Sequence, residues 1–210
     1  MAFPHNTHPG RFIVVEGIDG SGLTTQSTGI VRELRAAGTA AFQTKEPTDG
    51  PAGGVLRLAL TKRLGLTAET FALLFAADRM DHLNADVIPR LKMGTTVVCD
   101  RYIFSNIAYQ GVELGQDWIQ ALNEKSILPD LTIFLDVPPE TCMKRIYARQ
   151  ARIEHFEDVD TLSSIRTTFL SVLRRFRQEH DAPIAVVDGS NPIEMVTRDI
   201  MRHVMPLFRT

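Results

Sequence analysis

The stretch from Phe12 to Gln26, FIVVEGIDGSGLTTQ, decides the fold of this chain of 210 residues. Its first residues form an apolar run typical of a buried strand, and three glycines follow within six positions before a helical pattern begins. Glycines at this spacing let consecutive backbone N–H groups point into one concavity, and the N-terminus of the next helix adds its positive dipole. The segment therefore predicts a phosphate-binding loop between a strand and a helix.

The pattern G-x-x-x-x-G-K-[ST] of phosphate loops is met at Gly17, Gly22 and Thr24, but Leu23 stands where the pattern has lysine. That lysine normally reaches the outer phosphates and neutralises charge that shifts during phosphoryl transfer, which a leucine does not do. Thr24 is expected to place its hydroxyl on Mg²⁺. The alternative is a glycine-rich turn without a ligand. We favour the phosphate site because strand, turn, helix and hydroxyl follow in the required order.

The composition is typical of a globular protein that does not bind its ligands through bulk charge. Hydrophobic residues make up 44% and charged residues 23% of the chain, and the net charge is -2. The apolar stretches are shorter than the roughly 18 residues that cross a bilayer. We therefore expect no membrane partner and no nucleic-acid partner, and we expect phosphate recognition to be local.

Cysteine usage and the chain's organisation indicate a cytoplasmic protein with one domain. Cys99 and Cys142 lie far apart, without the spacing of a disulfide framework or a structural zinc site, which favours a reducing compartment. Residues 1–10 contain no apolar signal-peptide core, and we expect a flexible polar tail of little structure there. Residues 11–210 show no repeat or linker, and we expect a single domain.

Short apolar runs alternate with longer stretches of helical period, which predicts an α/β protein with a parallel sheet. The predicted strands span residues 12–16, 40–44, 95–99, 131–136 and 184–188. The predicted helices span residues 24–37, 55–64, 68–92, 117–126, 140–149, 160–180 and 192–207.

Polar residues follow the second and third predicted strands, at residues 45–48 and 100–110. Because ligands of parallel sheets bind beyond the carboxyl ends of the strands, we expect both segments to face one crevice with the loop. The alternative for the Asp-Arg pair at 100–101 is a surface ion pair of little consequence. Phe75 and Arg79 share a helical face and form a candidate grip for a planar base. Their alternative is a core ring beside an arginine that reaches solvent.

Together these residues resemble the thymidylate kinases of bacterial and archaeal type, within the nucleoside-monophosphate kinases of the P-loop class. The resemblance implies a three-layer P-loop fold, with a five-stranded parallel sheet flanked by helices and a short lid. It implies transfer of the γ-phosphoryl group of ATP to dTMP with Mg²⁺, in a homodimer formed through helical faces such as residues 70–83 and 107–122. Its landmarks are residues 12–26, Lys45-Glu46-Pro47, residues 74–79, Asp100-Arg101-Tyr102, residues 105–111 and residues 187–190.

The resemblance also implies roles for individual residues. Phe75 stacks on thymine, Arg79 and Asn106 contact the base, and Tyr109 crowds the 2′ position of the sugar. The other acceptor-side residues implied are Glu46, Arg57, Arg101 and Ser105. Asp19, Arg101, Arg149 and Arg152 are the implied catalytic residues, and Thr24, Asp19 and Asp100 are the implied metal site. ATP is implied to bind at Gly17, Ile18, Asp19, Gly20, Ser21, Gly22, Leu23, Thr24, Thr25 and Arg145.

A lid is expected at about residues 145–158. Arg145, Arg149 and Arg152 follow one another at spacings of four and three, which places them broadly on one helical face. A solvated basic stripe is the alternative. The bacterial branch of the family is similar in having a glycine within the loop, here Gly20, and arginines in the lid. Residues 154–158 are short for that branch and resemble the compact archaeal lid.

Leu23 leaves three interpretations open. The chain is a slow kinase, or a kinase in which a lid arginine or Arg101 replaces the lysine, or a nucleotide-binding relative that has lost catalysis. A kinase of another deoxy-pyrimidine monophosphate is a further alternative. We favour an active or weakly active thymidylate kinase, because the other donor-side and acceptor-side elements are intact.

Overall fold

Five parallel strands form one sheet in the computed structural model, which describes residues 3–148 and 158–209. The order across the sheet is β2-β3-β1-β4-β5, so β1 lies in the middle and pairs with β3 and β4. This arrangement confirms the predicted α/β class with a five-stranded parallel sheet. The strands are β1 (Phe12–Glu16), β2 (Ala41–Lys45), β3 (Thr96–Asp100), β4 (Leu131–Asp136) and β5 (Ile184–Asp188).

Helices cover both faces of the sheet. They are α1 (Leu23–Ala36), α2 (Pro51–Leu60), α3 (Ala68–His82), α4 (Ile88–Lys92), α5 (Ile103–Leu114), α6 (Gln116–Leu122), α7 (Pro139–Ala148), α8 (Val159–Glu179) and α9 (Ile193–Val204). Along β1, Phe12 and Val14 enter one apolar cluster while Ile13 and Val15 enter the other, as the alternation of side chains along a strand requires. α1 and α9 pack on the second cluster, and α3 to α8 pack on the first. No helix in the described ranges has the length and apolarity needed to cross a bilayer.

Two helical segments differ from the sequence prediction. Residues 103–114 were expected only as a polar cluster after a strand, but they form α5, because Ile103, Phe104 and Ile107 bury one face at helical spacing. The predicted helix 68–92 is interrupted by a π-helical turn at Leu83–Val87. Pro89, two residues after Val87, lacks an N–H and crowds the carbonyl four residues earlier, which disfavours regular α-helical bonding there.

The N-terminal segment is folded onto the core, which differs from the expectation of a tail of little structure. Phe3 is 4% exposed, and its ring lies 5.3 Å from the ring of Phe176 on α8. The N–H of Leu128 donates to the carbonyl of Pro4 at 2.7 Å, and the N–H of Gly10 donates to Leu91 at 2.9 Å. Burial of the single Phe3 ring, together with these backbone hydrogen bonds, holds the otherwise polar segment against the core.

Candidate active site

The carboxyl ends of β1, β2 and β3 open into a cavity of about 420 Å³. The cavity brings together residues from the loop after β1, the segment after β2, and helices α2, α3 and α5. The predicted site residues that line it are Ile18, Asp19, Gly20, Gly22, Leu23, Thr24, Thr25, Glu46, Arg57, Phe75, Arg79, Asp100, Arg101, Ser105, Asn106 and Tyr109. Gly17, Ser21 and Arg145 are not part of this lining, and Arg149 and Arg152 lie outside the described residues.

The loop after β1 has the backbone conformation of an anion cradle. Gly20 and Gly22 have φ of 81° and 101°, in the left-handed region that glycine adopts without strain. A Cβ on Gly20 would also lie 2.6 Å from the carbonyl oxygen of Cys142. Gly22 is the N-cap of α1 and has no side chain with which to cap the helix. The N–H groups of the first turn are therefore left for a ligand. Phosphate is the anion that such a helix end favours.

Leu23 lines the cavity but offers it no polar atom. Its side chain is 6% exposed and belongs to the apolar cluster between α1 and the sheet. The position that carries a lysine in phosphate loops is therefore an apolar contact in this chain.

A compact polar group joins the loop to α5. The Nη2 atom of Arg101 lies 2.6 Å from Oδ1 of Asp19, and Nη1 donates to the carbonyl of Gly17 at 3.1 Å. The Tyr109 hydroxyl donates to Oδ2 of Asp19 at 2.9 Å and accepts from the Asp19 N–H at 3.1 Å. Burial disfavours the charge on Arg101, but Tyr109, Asp19 and Asp100 outweigh burial and raise its pKa overall. Arg101 is thus a fixed cation at the base of the phosphate loop.

Thr24 and Asp100 present adjacent oxygens to the same cavity. The Thr24 hydroxyl donates to Oδ2 of Asp100 at 2.6 Å. Burial raises the pKa of Asp100, and Arg101 and the Thr24 hydroxyl oppose that rise. A hydroxyl beside a carboxylate is a donor set of the kind that Mg²⁺ prefers, so these residues fit the metal that the resemblance implies.

Arg79 is buried and bonded within the protein, so it is not an arginine that reaches solvent. It is 1% exposed, and its Nη2 lies 2.8 Å from Oε2 of Glu46. Its Nη1 donates to Oδ1 of Asn106 at 3.3 Å and to Oδ1 of Asn123. Its Nε–H is buried without a hydrogen-bond partner among the described residues, although the side chain lines the cavity. Because buried donors usually find acceptors, this unpartnered donor is a candidate contact for a ligand in the cavity.

The remaining predicted residues lie around this core of the site. The Phe75 ring is half-buried and packs edge-on against Phe71 at 5.0 Å. Arg57 contacts Asp49 at 3.2 Å and donates to the carbonyl of Thr48. Arg145 lies behind the loop, where it donates to the carbonyls of Ser21 at 3.3 Å and Gly189 at 3.0 Å.

Several residues that organise the site were missed by the sequence analysis. Glu16 is fully buried at the end of β1 and accepts hydrogen bonds from the turn after β3 and from the first turn of α5. Asn123 on the turn after α6 holds both Arg79 and Asn106. His82 bonds Glu46 at 3.1 Å and Thr44 at 2.7 Å. The sequence could have indicated a role for Glu16, because a carboxylate at the end of an otherwise apolar central strand needs hydrogen-bond partners.

Comparison with known proteins places this geometry in a family. The family model described as thymidylate kinase matches residues 15–200. The chain is 35% identical to a putative thymidylate kinase of Treponema pallidum over 197 residues, which cover 92% of this chain and 94% of the relative. It is 36% identical to a putative thymidylate kinase of Aeropyrum pernix (92% and 93% covered) and to a thymidylate kinase of Ruegeria pomeroyi (93% and 95% covered). The chain belongs to the thymidylate kinase family.

Proposed function

We propose that this chain transfers the γ-phosphoryl group of ATP to dTMP, giving ADP and dTDP, as a step toward dTTP. The observation that carries this proposal is that the phosphate loop and the candidate base-binding residues line one cavity. A phosphate donor on the loop and a nucleotide beside Phe75 then meet within it. Such proximity is the main contribution of a protein to phosphoryl transfer.

On the acceptor side, we assign the thymine to the space between Phe75 and Arg79. The half-buried Phe75 offers a ring face for stacking. The unpartnered Nε–H of Arg79 matches a carbonyl of the base, while Glu46, Asn106 and Asn123 hold the guanidinium in place. Tyr109 stands beside the expected sugar position, which favours a deoxyribose.

On the phosphate side, we assign the acceptor phosphate to Arg101 and Arg57 and the ATP phosphates to residues 17–25, with Arg145 supporting the loop. Mg²⁺ held near Thr24, Asp100 and Asp19 supplies charge neutralisation to the phosphates when it is bound. Asp19 also fixes Arg101, at 2.6 Å, so that the cation is oriented before the nucleotides arrive. We also propose that Arg149 and Arg152 supply positive charges from the lid.

Leu23 makes this a kinase with one cation fewer than its motif normally supplies. Loss of one well-placed electrostatic stabiliser costs about 2.7–4 kcal/mol, or roughly a hundred- to a thousandfold in rate. Arg101 contacts the Gly17 carbonyl at 3.1 Å, so a fixed positive charge remains beside the loop. We therefore propose an active enzyme whose turnover depends more on Arg101 than the motif alone predicts.

We further propose a cytoplasmic homodimer formed through residues 70–83 and 107–122. Support comes from large apolar side chains exposed on those helices. Leu73 is 48% exposed on α3, and Val112 is 56% exposed on α5. A second copy of the chain covering this face would remove that apolar surface from water.

The test of the kinase is a coupled assay of ADP release with ATP, Mg²⁺ and dTMP. We expect dTMP-dependent turnover that disappears without Mg²⁺. Binding of dTMP without turnover would instead support the second candidate that Leu23 favours, a nucleotide-binding relative that has lost catalysis. Comparison of kcat/KM for dTMP, dUMP and dCMP tests the substrate, and we expect the highest value for dTMP.

A further inference from the structure

The buried Glu16 side chain accepts from three donors, one in the turn between β3 and α5 and two in the first turn of α5. Its Oε1 accepts from the N–H of Tyr102 at 2.9 Å and from the N–H of Ser105 at 3.2 Å. Its Oε2 accepts from the Ser105 hydroxyl at 2.5 Å. None of these donors belongs to the loop after β1, so Glu16 connects the central strand to the turn that carries Arg101.

Ser105 connects Glu16 to Arg101. An ionised carboxylate only accepts hydrogen bonds, so it fixes the hydroxyl hydrogen of Ser105 toward itself. The same hydroxyl oxygen then has a lone pair for Nη1 of Arg101, which lies 3.2 Å away. Arg101 has φ of 71°, a conformation that a side-chain-bearing residue keeps only when its surroundings hold it.

We propose that Glu16 is a positioning residue that orients Arg101 toward the acceptor phosphate through the Ser105 hydroxyl. This inference rests on the proposed function for the assignment of the phosphate to Arg101. It predicts that loss of the Glu16 carboxylate weakens the recognition of the phosphate and leaves the recognition of thymine and sugar intact.

The protonation state of Glu16 sets the strength of this connection. Burial raises the pKa of Glu16 to about 7, opposed by Ser105, Arg101 and Arg79. The charge of Glu16 in turn helps burial to raise the pKa of the Cys99 thiol on β3, so that thiol stays neutral beside it. Below this pKa the carboxyl carries a hydrogen, and Glu16 no longer fixes the hydroxyl hydrogen of Ser105 as a charged acceptor. We expect the phosphate-specific part of binding to weaken as the pH falls through about 7.

The test is calorimetric binding of dTMP and thymidine to the wild type and to Glu16→Gln, without ATP. Glutamine keeps the shape but brings an N–H₂ group against the Ser105 hydroxyl. We expect dTMP affinity to fall about tenfold, a change of about 1.4 kcal/mol, while thymidine affinity stays within about twofold. Ser105→Ala should reproduce the loss, and Ser105→Thr, which keeps the hydroxyl, should restore most of it.

A pH series separates positioning from a general structural effect. The ratio of dTMP to thymidine affinity should rise from pH 6 to pH 8 more steeply in the wild type than in Glu16→Gln, whose residual slope reports ionisation of the phosphate itself. Equal losses for both ligands, or an unchanged dTMP affinity, would overturn the inference. If Glu16→Gln does not fold, the Ser105 pair decides by the same criterion. Because this readout is binding, an absence of turnover would count against the proposed kinase and not against the positioning role.

Discussion

Leu23 stands where the phosphate-loop motif has a lysine, and the proposed reaction depends on how that missing charge is supplied. Its position lines the cavity while its side chain packs with the apolar residues under α1. The loop glycines have the left-handed φ of an anion cradle and the Thr24 hydroxyl donates to Asp100, so within the loop motif the departure is the missing charge at residue 23. The rate of the chemical step, and not the binding of nucleotides, is therefore where Leu23 should matter.

The variant Leu23→Lys tests this at the residue scale. A lysine stem follows the leucine path and brings its ammonium into the cavity, as long basic side chains do beside apolar surfaces. We expect kcat to rise roughly a hundredfold, the size of one electrostatic stabiliser, with little change in the KM for dTMP. Leu23→Met is the matched control, because it keeps the apolar volume without a charge. An unchanged kcat in Leu23→Lys would mean that other cations already fill this role.

At the scale of elements, the sequence predicted those segments whose hydrophobic periodicity is clear. The five strands were predicted to within one residue because buried parallel strands are continuous apolar runs between polar ends. α5 was missed because the polar side chains of Ser105, Asn106 and Tyr109 were interpreted as a binding cluster, which hid the apolar face of the same helix. The loop and most of the cavity lining followed from motifs. The partners of Arg79 did not, because Asn123 and Glu46 meet it only after folding.

The packing of the N-terminal segment on α8 leads to an element-scale prediction. Phe3 packs at the C-terminal end of α8, where its ring lies 5.3 Å from the rings of both Phe176 and His180. Phe3→Ala should lower the free energy of unfolding by about 3 kcal/mol, at the low end for a buried ring because a terminal segment relaxes. Thr7→Ala, at an exposed position of the same segment, is the control and should change it by less than about 0.5 kcal/mol. Urea denaturation measures both, and equal values would show that the segment adds no stability.

At the scale of the whole molecule, a near-neutral chain holds anionic ligands through a few fixed groups. The net charge of -2 gives no general attraction for phosphates. In the proposed function their place is instead defined by loop N–H groups, a helix end and arginines that are already bonded within the protein, such as Arg101. Such preorganisation has a cost in stability, because charged groups must be kept away from water. For Glu16, this cost can be measured as a decrease in the free energy of unfolding when the carboxyl ionises.

The stability of the molecule should depend on pH through Glu16 in a known direction. Burial raises the pKa of Glu16 from 4.5 to about 7 in the folded protein, so between these values the folded state binds more protons than the unfolded state. The contribution of Glu16 to stability is therefore complete below pH 4.5 and is lost as the pH rises through about 7, with a total of about 3 kcal/mol.

Urea denaturation of the wild type and Glu16→Gln at pH 5, 6, 7 and 8 isolates this contribution. Other groups titrate alike in both proteins and cancel in the difference. The free energy of unfolding of the wild type should fall relative to that of Glu16→Gln as the pH rises, most steeply between about pH 5 and pH 7, and the difference should level off above about pH 8. A difference that stays constant, or that grows in favour of the wild type, would show that the charge on Glu16 does not destabilise the folded protein. The form of Glu16 that orients Arg101 is thus the form that destabilises the fold, so the contribution of Glu16 to stability should be smallest in the pH range where it best supports phosphate binding.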